Sequence, residues 1–410
     1  MRSLLVTGSA PWGAEAGAAL RVRVVARALA EFGPVDVFLI GQEPPPDPAE
    51  AELPGIGRVR AVPTGTSSGR LAETLRGVSA ARLRTSRRAC APLLAEWTRG
   101  REYGLVWYTR ESNWLRTRGV VAAPAVIDVD DLNDVLHQQW LDIGLSVNGA
   151  ALTRWSGAQV RRDIRFWRRV HADAARSGAT LVVASEPDCR RLGAGDPRIV
   201  PNTFEAPAER RPEPPAERPV LLFQGNLAYQ PNEDAAVWLV REIAPLVRQA
   251  VPGLRVVLTG SASPLVESLA APGTVEVTGR VPDMADVLRE AHAVAVPLRV
   301  GSGTRIKVLE AFAYGVPVVS TPLGVEGLGI QPGVHAKVAG TTEEFARACT
   351  EVLTDRTAAR ALAARAGRLY DGNYRTEAGL ARVRDVVRSA VPGAGESAAR
   401  NTAPGASPPR

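Results

Sequence analysis

Val294-Ala-Val-Pro-Leu-Arg-Val-Gly-Ser-Gly-Thr-Arg-Ile-Lys-Val-Leu-Glu-Ala-Phe-Ala-Tyr-Gly-Val-Pro-Val-Val-Ser-Thr321 reads as an apolar strand, a glycine loop, a helix and a second strand. Gly301 and Gly303 let the backbone approach an anion closely, Ser302 or Thr304 is placed to cap the helix, and the helix's first N–H groups face the loop. Arg305 and Lys307 put positive charge in the first turn, where acids are normally preferred. A diphosphate in the loop would remove that conflict. Glu310 lies three residues after Lys307 on the same face, so its carboxylate can accept two hydroxyl hydrogens from a sugar ring or ribose. Hydrogen bonds to a charged group contribute roughly 1.5–3 kcal/mol each, enough to orient a ligand. Gly315 and Pro317 stop the helix, and Val316 to Ser320 forms the next buried strand.

The segment resembles the donor-binding unit of the group 1 (family 4) retaining glycosyltransferases. Their pattern is Glu, seven residues, Glu, then Ala-x-Ala-x-Gly-x-Pro-Val-Val. Glu310 to Val319 matches the second half, while the first glutamate falls at Ser302. The resemblance implies that Glu310 binds the nucleotide ribose, and that Ser302 stands where the family places an acid beside the transferred sugar.

The chain has 410 residues and 45% hydrophobic content, enough for two domains that each bury a core. Its 50 basic and 43 acidic residues give a net charge of +7, which favours acidic ligands or an anionic surface. Lys307 and Lys337 are the only lysines, an arginine bias expected of a GC-rich bacterium. Cys90, Cys189 and Cys349 are widely separated and odd in number, so neither a disulfide framework nor a zinc site is indicated, and all three read as small buried residues. No signal peptide and no apolar run long enough to span a bilayer is apparent, and a cytoplasmic location is expected.

Residues 1–200 read as a first α/β domain. Strand Ser3–Thr7, a small-residue loop from Gly8 to Gly17, helix Ala18–Phe32 and strand Val35–Ile40 form one βαβ unit, which implies a parallel sheet. Gln42–Pro63 reads as a surface connection. Residues 70–101 are strongly basic, with arginines at 70, 76, 82, 84, 87, 88, 99 and 101. They form either a solvated arginine face or a helix lying on anionic lipid at the inner face of the membrane. Strands Leu105–Tyr108 and Ala125–Val129 follow, and the second runs into Asp130 and Asp131. Acids at that end of a strand in an open sheet lie where ligands bind, or cap the next helix. With His137 one to two turns away and no second cluster, a metal is the weaker reading. Residues 160–176 form an amphipathic helix, Leu181–Ser185 a strand, and Ser185 caps the helix that follows it.

The 201–219 segment is a proline-rich linker, and 220–376 form a second α/β domain. Its strands are Val220–Gln224, Leu254–Thr259 and Val275–Thr278, and its helices Ala235–Val247, Asp286–His292, Thr342–Leu353 and Ala358–Leu369. Residues 377–392 form a last helix, and 393–410 lack a periodic core and are expected to be disordered.

The resemblance covers residues 1–392, most densely 199–330, and implies the GT-B architecture: two Rossmann-like domains facing across a cleft. It implies that the last helix crosses back to the first domain and that Gly17 and Arg21 face the cleft and hold acceptor. The family's histidine for the donor sugar matches Asp130, with Asp131 next to it. Gly225 and Asn226 stand where the family contacts the donor phosphates, although its arginine and lysine there are absent. Arg280 and Val281 lie by the nucleotide base. The implied activity is metal-independent transfer of a sugar from a nucleotide-sugar donor, with UDP the leading base, to a carbohydrate, lipid-linked or small natural-product acceptor, with retention. No cofactor and no nucleic-acid partner is expected. Arg305, Lys307 and the helix N–H groups would stabilise the departing diphosphate. Two other readings remain: a nucleotide-binding, catalytically weakened partner of another transferase, and a GT-B-type nucleotide-sugar 2-epimerase.

Overall fold

A computed structural model of the chain describes residues 1–12, 17–41, 53–64, 78–144, 153–205, 207, 218–301, 303 and 305–393. The chain divides into two compact units, one of residues 1–134, 158–201 and 379 onward, the other of 135–157 and 202–378. The linker expected at 201–219 and the tail expected from 393 lie largely outside the described residues.

The first unit runs through β1 (Ser3–Thr7), α1 (Gly17–Ala30), β2 (Val35–Ile40), β3 (Ile56–Val62), α2 (Val78–Thr98), β4 (Leu105–Thr109), α3 (Glu111–Thr117), β5 (Ala125–Val129), the start of α4 (Asn133–Asp142), α5 (Arg154–Arg176), β6 (Thr180–Val183), α6 (Glu186–Leu192) and β7 (Arg198–Ile199). Its sheet is wholly parallel in the order β3-β2-β1-β4-β5-β6-β7. β1, β2 and β4 are buried along their whole length, as expected of parallel strands covered on both faces. Ser185 caps α6 by accepting from the Asp188 backbone N–H. β3 corrects the reading of Gln42–Pro63 as a surface connection: Ile56-Gly-Arg-Val-Arg-Ala-Val62 is a half-exposed edge strand, whose arginines interrupt the apolar signal that marks the central strands.

The second unit contains β8 (Val220–Gln224), α7 (Gln230–Trp238), a π-helical turn at Leu239–Ile243, α8 (Ala244–Ala250), β9 (Arg255–Thr259), α9 (Pro264–Glu267), β10 (Val275–Gly279), α10 (Met284–Glu290), β11 (Ala293–Val296), α11 (Ile306–Tyr314), β12 (Val318–Ser320), β13 (Lys337–Val338), α12 (Thr342–Thr354) and α13 (Arg356–Asn373). Its parallel sheet runs β10-β9-β8-β11-β12-β13. The single helix expected over Ala235–Val247 is instead α7, the π turn and α8 in succession. Gly315 ends α11 in the left-handed conformation at φ 71°. α12 opens with a capping box in which Thr341 and Glu344 satisfy each other's backbone N–H. α14 (Thr376–Ala390) completes the chain, and its Leu380, Val383, Val386 and Val387 pack into the first unit's core with Leu5, Val25 and Trp107. Burying each such side chain contributes roughly 1.5–3 kcal/mol.

Arg21 is the main correction in the first unit. It sits within α1 with only 5% of its side chain exposed, and its Nε and Nη2 donate to Asp128 Oδ2 and Oδ1 at 2.8 and 2.6 Å. Nη1 donates to the Val200 carbonyl at 2.7 Å. Burial works against the charge on Arg21, but the carboxylates of Asp128 and Asp130 outweigh it and push its pKa up. The guanidinium therefore braces α1 against β5 and the chain after β7, in place of the acceptor contact expected of it. Arg21→Met, which strands the Asp128 carboxylate inside the unit, is expected to destabilise the unit by about 3–5 kcal/mol, whereas Arg21→Met with Asp128→Leu recovers most of that. Thermal unfolding followed by circular dichroism checks both.

Candidate functional site

In the second unit the chain moves outward from β8 through β9 to β10, then returns to the other side of β8 with β11. Ligands of open parallel sheets bind outside the carboxyl ends of the strands at such a reversal. Gly225 follows β8 there, and the glycine loop 297–305 follows β11.

Lys307 forms the centre of this end. Its Nζ donates to Asn232 Oδ1 at 2.6 Å and lies 4.5 Å from the ring centroid of Phe223. Gly225, at φ 141°, must be glycine: a Cβ there would stand 3.3 Å from Lys307 Nζ. Burial first, and the neighbouring Arg305 second, push the Lys307 ammonium down to about 7, with Glu310 opposing. Asn232, in the first turn of α7, also donates its amide to the Asn226 carbonyl at 2.8 Å. The structure thus assigns Asn232 the job of holding the lysine.

Arg305 is 7% exposed and occupies the N-cap position of α11, where its side chain makes no capping bond. The helix therefore starts after the residues expected to cap it; Ser302 and Thr304 themselves lie outside the described residues. Arg305 Nε donates to the Leu323 carbonyl at 3.3 Å, and its Nη1 lies 3.1 Å from where a Cβ on Gly301 would stand. Gly301 leaves room for the guanidinium, and Gly303 takes the left-handed conformation at φ 71°. The Gly301 N–H donates to Gln139 Oε1 at 2.8 Å within the same unit.

Glu310 lies one turn deeper, half-buried, and accepts from Gln224 Nε2 at 3.3 Å. Burial pushes its carboxyl up to about 7, with Gln224 and Lys307 opposing. Gln224, missed from the sequence, is the polar last residue of an otherwise apolar strand, which is the signal that could have found it. Its buried Oε1 has no hydrogen-bond partner among the described residues, leaving an acceptor beside Glu310 for a hydroxyl. Asn226 is exposed after β8, and Arg280 is exposed after β10 with its Nε donating to Ser261 Oγ at 2.7 Å. Val281 beside it is half-buried.

The first unit has its own reversal, between β1 and β4. Asp130 and Asp131 follow β5 as expected; Asp130 Oδ1 lies 3.7 Å from Arg21 Nε and Asp131 Oδ2 3.3 Å from Arg110 Nη2. Gly17 is the first residue of α1. Arg110, which no local pattern singles out, follows β4 at φ 117°, a conformation that costs a non-glycine residue of order 1–3 kcal/mol. His171 is a second residue that sequence reasoning missed, since nothing local marks it. It is buried with Nδ1 3.3 Å from Asp134 Oδ1 and Nε2 3.8 Å from Glu111 Oε1. Burial opposes its charge, but Asp134 and Glu111 outweigh it and push its pKa up to about 9.

Two doubly wound parallel sheets, with glycine loops at their carboxyl ends, define the GT-B fold of glycosyltransferases. Sucrose-phosphate synthase from Thermosynechococcus elongatus has it at a TM-score of 0.70 and 18% identity, the match covering 95% of this chain and 99% of that one. HepE from Anabaena, solved in complex with UDP and glucose, matches at a TM-score of 0.63 and 15% identity over 95% of this chain and 100% of that one. WaaG, a glycosyltransferase involved in lipopolysaccharide biosynthesis, matches at 0.63 and 13% over 96% and 100%.

In sequence, residues 218–355 match the family described as Glycosyl transferases group 1. The resemblance seen in Glu310–Val319 holds over most of the second unit. An uncharacterized 44.6 kDa protein in the cps region of Klebsiella pneumoniae is 24% identical over 136 residues, 31% of this chain and 35% of that protein. The match thus spans about a third of that relative's length.

Lys307 and Lys337 being the only lysines, reductive methylation with carbon-13 formaldehyde labels them and the N-terminus alone. One resonance is expected to titrate with a midpoint near 7, and Lys307→Arg should delete it. A Lys307 midpoint in the ordinary lysine range would contradict the desolvated environment described above.

Proposed function

We propose that this protein transfers a sugar from a nucleotide-sugar donor to an acceptor with retention at the anomeric carbon and without a metal. The observation that carries this reading is the meeting of Lys307, Arg305, Gly225 and Gly301 at the carboxyl end of β8 and β11, inside the segment that matches the group 1 family. A diphosphate there would lie against two cations and glycine backbone, with Glu310 and Gln224 set for ribose hydroxyls. As the glycosidic bond to the diphosphate breaks, negative charge grows on the leaving oxygen; Arg305 and Lys307 stabilise it, the role a metal takes in other transferases. No nucleophilic side chain is assigned, in keeping with attack by the acceptor on the leaving group's own face. UDP is the proposed nucleotide, a reading supported by HepE in complex with UDP and with UDP-glucose.

Asp130 and Asp131 are proposed to contact the sugar or a carbohydrate, lipid-linked or small natural-product acceptor from the first unit. Among the described residues no helix is long and apolar enough to cross a membrane. A peripheral contact at the inner membrane face through 70–101 is part of the proposal, supported by Arg82, Arg84, Arg87 and Arg88 on the exposed side of α2.

A thermal-shift panel of UDP, GDP, dTDP and their sugars tests the donor site. UDP at a hundred times its Kd is expected to add about 2.7 kcal/mol of stability, and Glu310→Ala and Lys307→Ala to abolish the shift. Absence of a shift with every nucleotide would overturn the reading; a shift without turnover on any acceptor would favour the weakened-partner alternative.

A further inference from the structure

A groove of about 680 Å³ lies in the first unit, well apart in sequence from the loops assigned to the donor, and its walls carry Arg84 and Arg87 of α2, Arg118 just after α3, and Arg162, Arg165 and Arg169 of α5. Among the described residues no acidic side chain lines it. Arg84 and Arg87 of α2 are three residues apart, and Arg162, Arg165 and Arg169 of α5 recur at steps of three and four, so each set stands on one face of its helix. Asp163 fixes the two faces toward each other by accepting from the Ser79 backbone N–H at 3.1 Å, which ties α5 to the first turn of α2. Arg87 is held in place, donating to the carbonyls of Leu115 and Arg118 at 2.9 and 3.1 Å, and Arg118 lies 4.8 Å from the Trp114 ring centroid.

Arginines on other faces of α5 do engage acids: Arg168 is 3.5 Å from Asp134 of α4 and Arg176 is 2.8 Å from Asp173. Within the groove, Arg84, Arg87, Arg118, Arg165 and Arg169 form no ion pair with any described residue. Like charges gathered this closely repel, and a structure that only needed solubility would intersperse them with acids. Guanidinium groups match phosphate oxygens in pairs, and several of them around one concavity suit a group with more than one negative charge. Leu83 and Phe166 supply an apolar floor between the arginines.

We propose that this groove is a second ligand site, which binds a multiply charged phosphate group, with Leu83 and Phe166 covering an apolar part attached to it. It is separate from the proposed sugar transfer and does not depend on that reading. The phosphate belongs either to a soluble phosphate compound or to the headgroup of an anionic lipid, and the recognition is the same. It differs from a diffuse attraction of 70–101 to a charged surface in requiring α5 and α3 together with α2.

The test titrates the full-length chain with tripolyphosphate and, separately, with vesicles of phosphatidylglycerol or of phosphatidylcholine. Three proteins are compared: wild type, Arg84→Gln/Arg165→Gln/Arg169→Gln, and the charge-matched control Arg161→Gln/Arg241→Gln/Arg382→Gln, whose arginines lie outside both the groove and the 70–101 segment. The groove variant is expected to weaken tripolyphosphate or phosphatidylglycerol binding by about tenfold or more, and the control by less than about twofold. Loss confined to tripolyphosphate assigns a soluble ligand; loss confined to phosphatidylglycerol vesicles assigns a lipid headgroup. Because the replaced arginines are exposed, the melting temperature of the groove variant should stay at the wild-type value, which separates lost binding from lost folding. Failure of both ligands to bind wild type, equal weakening by the control, or unchanged binding by the groove variant would each overturn the proposal.

Discussion

The hydrogen bond from Lys307 to Asn232, 2.6 Å long and made over the face of Phe223, is the contact on which the second unit's site depends. An ammonium removed from water gives up hydration that one neutral amide and one ring do not fully replace, so its proton is loosely held. An anion beside it restores the balance. Every peculiarity of the surrounding sequence follows from making room for that exchange: glycine at 225 because a side chain would meet the lysine, glycine at 301 because one would meet Arg305, and a polar residue closing the apolar strand β8 beside Glu310. Glu310, held up near 7 by burial, completes a site in which both charges are incomplete until a ligand supplies partners.

The first unit uses charge in the opposite way. Arg21 is held inside the fold by Asp128 and the Val200 carbonyl, which fixes α1 against β5 beside Asp130 and Asp131 at the sheet's carboxyl edge. Arg110 holds a strained backbone at the same edge and reaches Asp131. A buried pair satisfied on both sides is structural, whereas charges at a strand end that keep some exposure remain able to meet a ligand.

These two uses explain what the sequence could and could not convey. Central strands such as Val35–Ile40 and Val220–Gln224 were legible because burial on both faces demands a nearly continuous apolar run, and α11 was legible because its apolar spacing, the glycines before it and Gly315 at its end all agree. β3 escaped because an edge strand tolerates arginines, and α3 because it is short and begins at a residue in an improbable conformation. Glu310, Arg305 and Lys307 could be found by spacing along one helix. Arg21 was misassigned, and Gln224 and the holding role of Asn232 were hidden, because each is defined by a partner distant in the chain, and no local pattern records such a pairing.

The chemistry of the donor site turns on the protonation of Lys307 when a diphosphate binds. At pH 8 a lysine whose pKa is about 7 is mostly neutral, and Glu310, also near 7, is already mostly ionised. A bound diphosphate raises the lysine's pKa, so binding must draw a proton from the buffer. Calorimetric titration of UDP at pH 8, repeated in buffers of different ionisation enthalpy, counts that proton directly. Uptake of roughly one proton per UDP, absent in Lys307→Arg, is the predicted result; binding of UDP with no proton uptake would contradict the account.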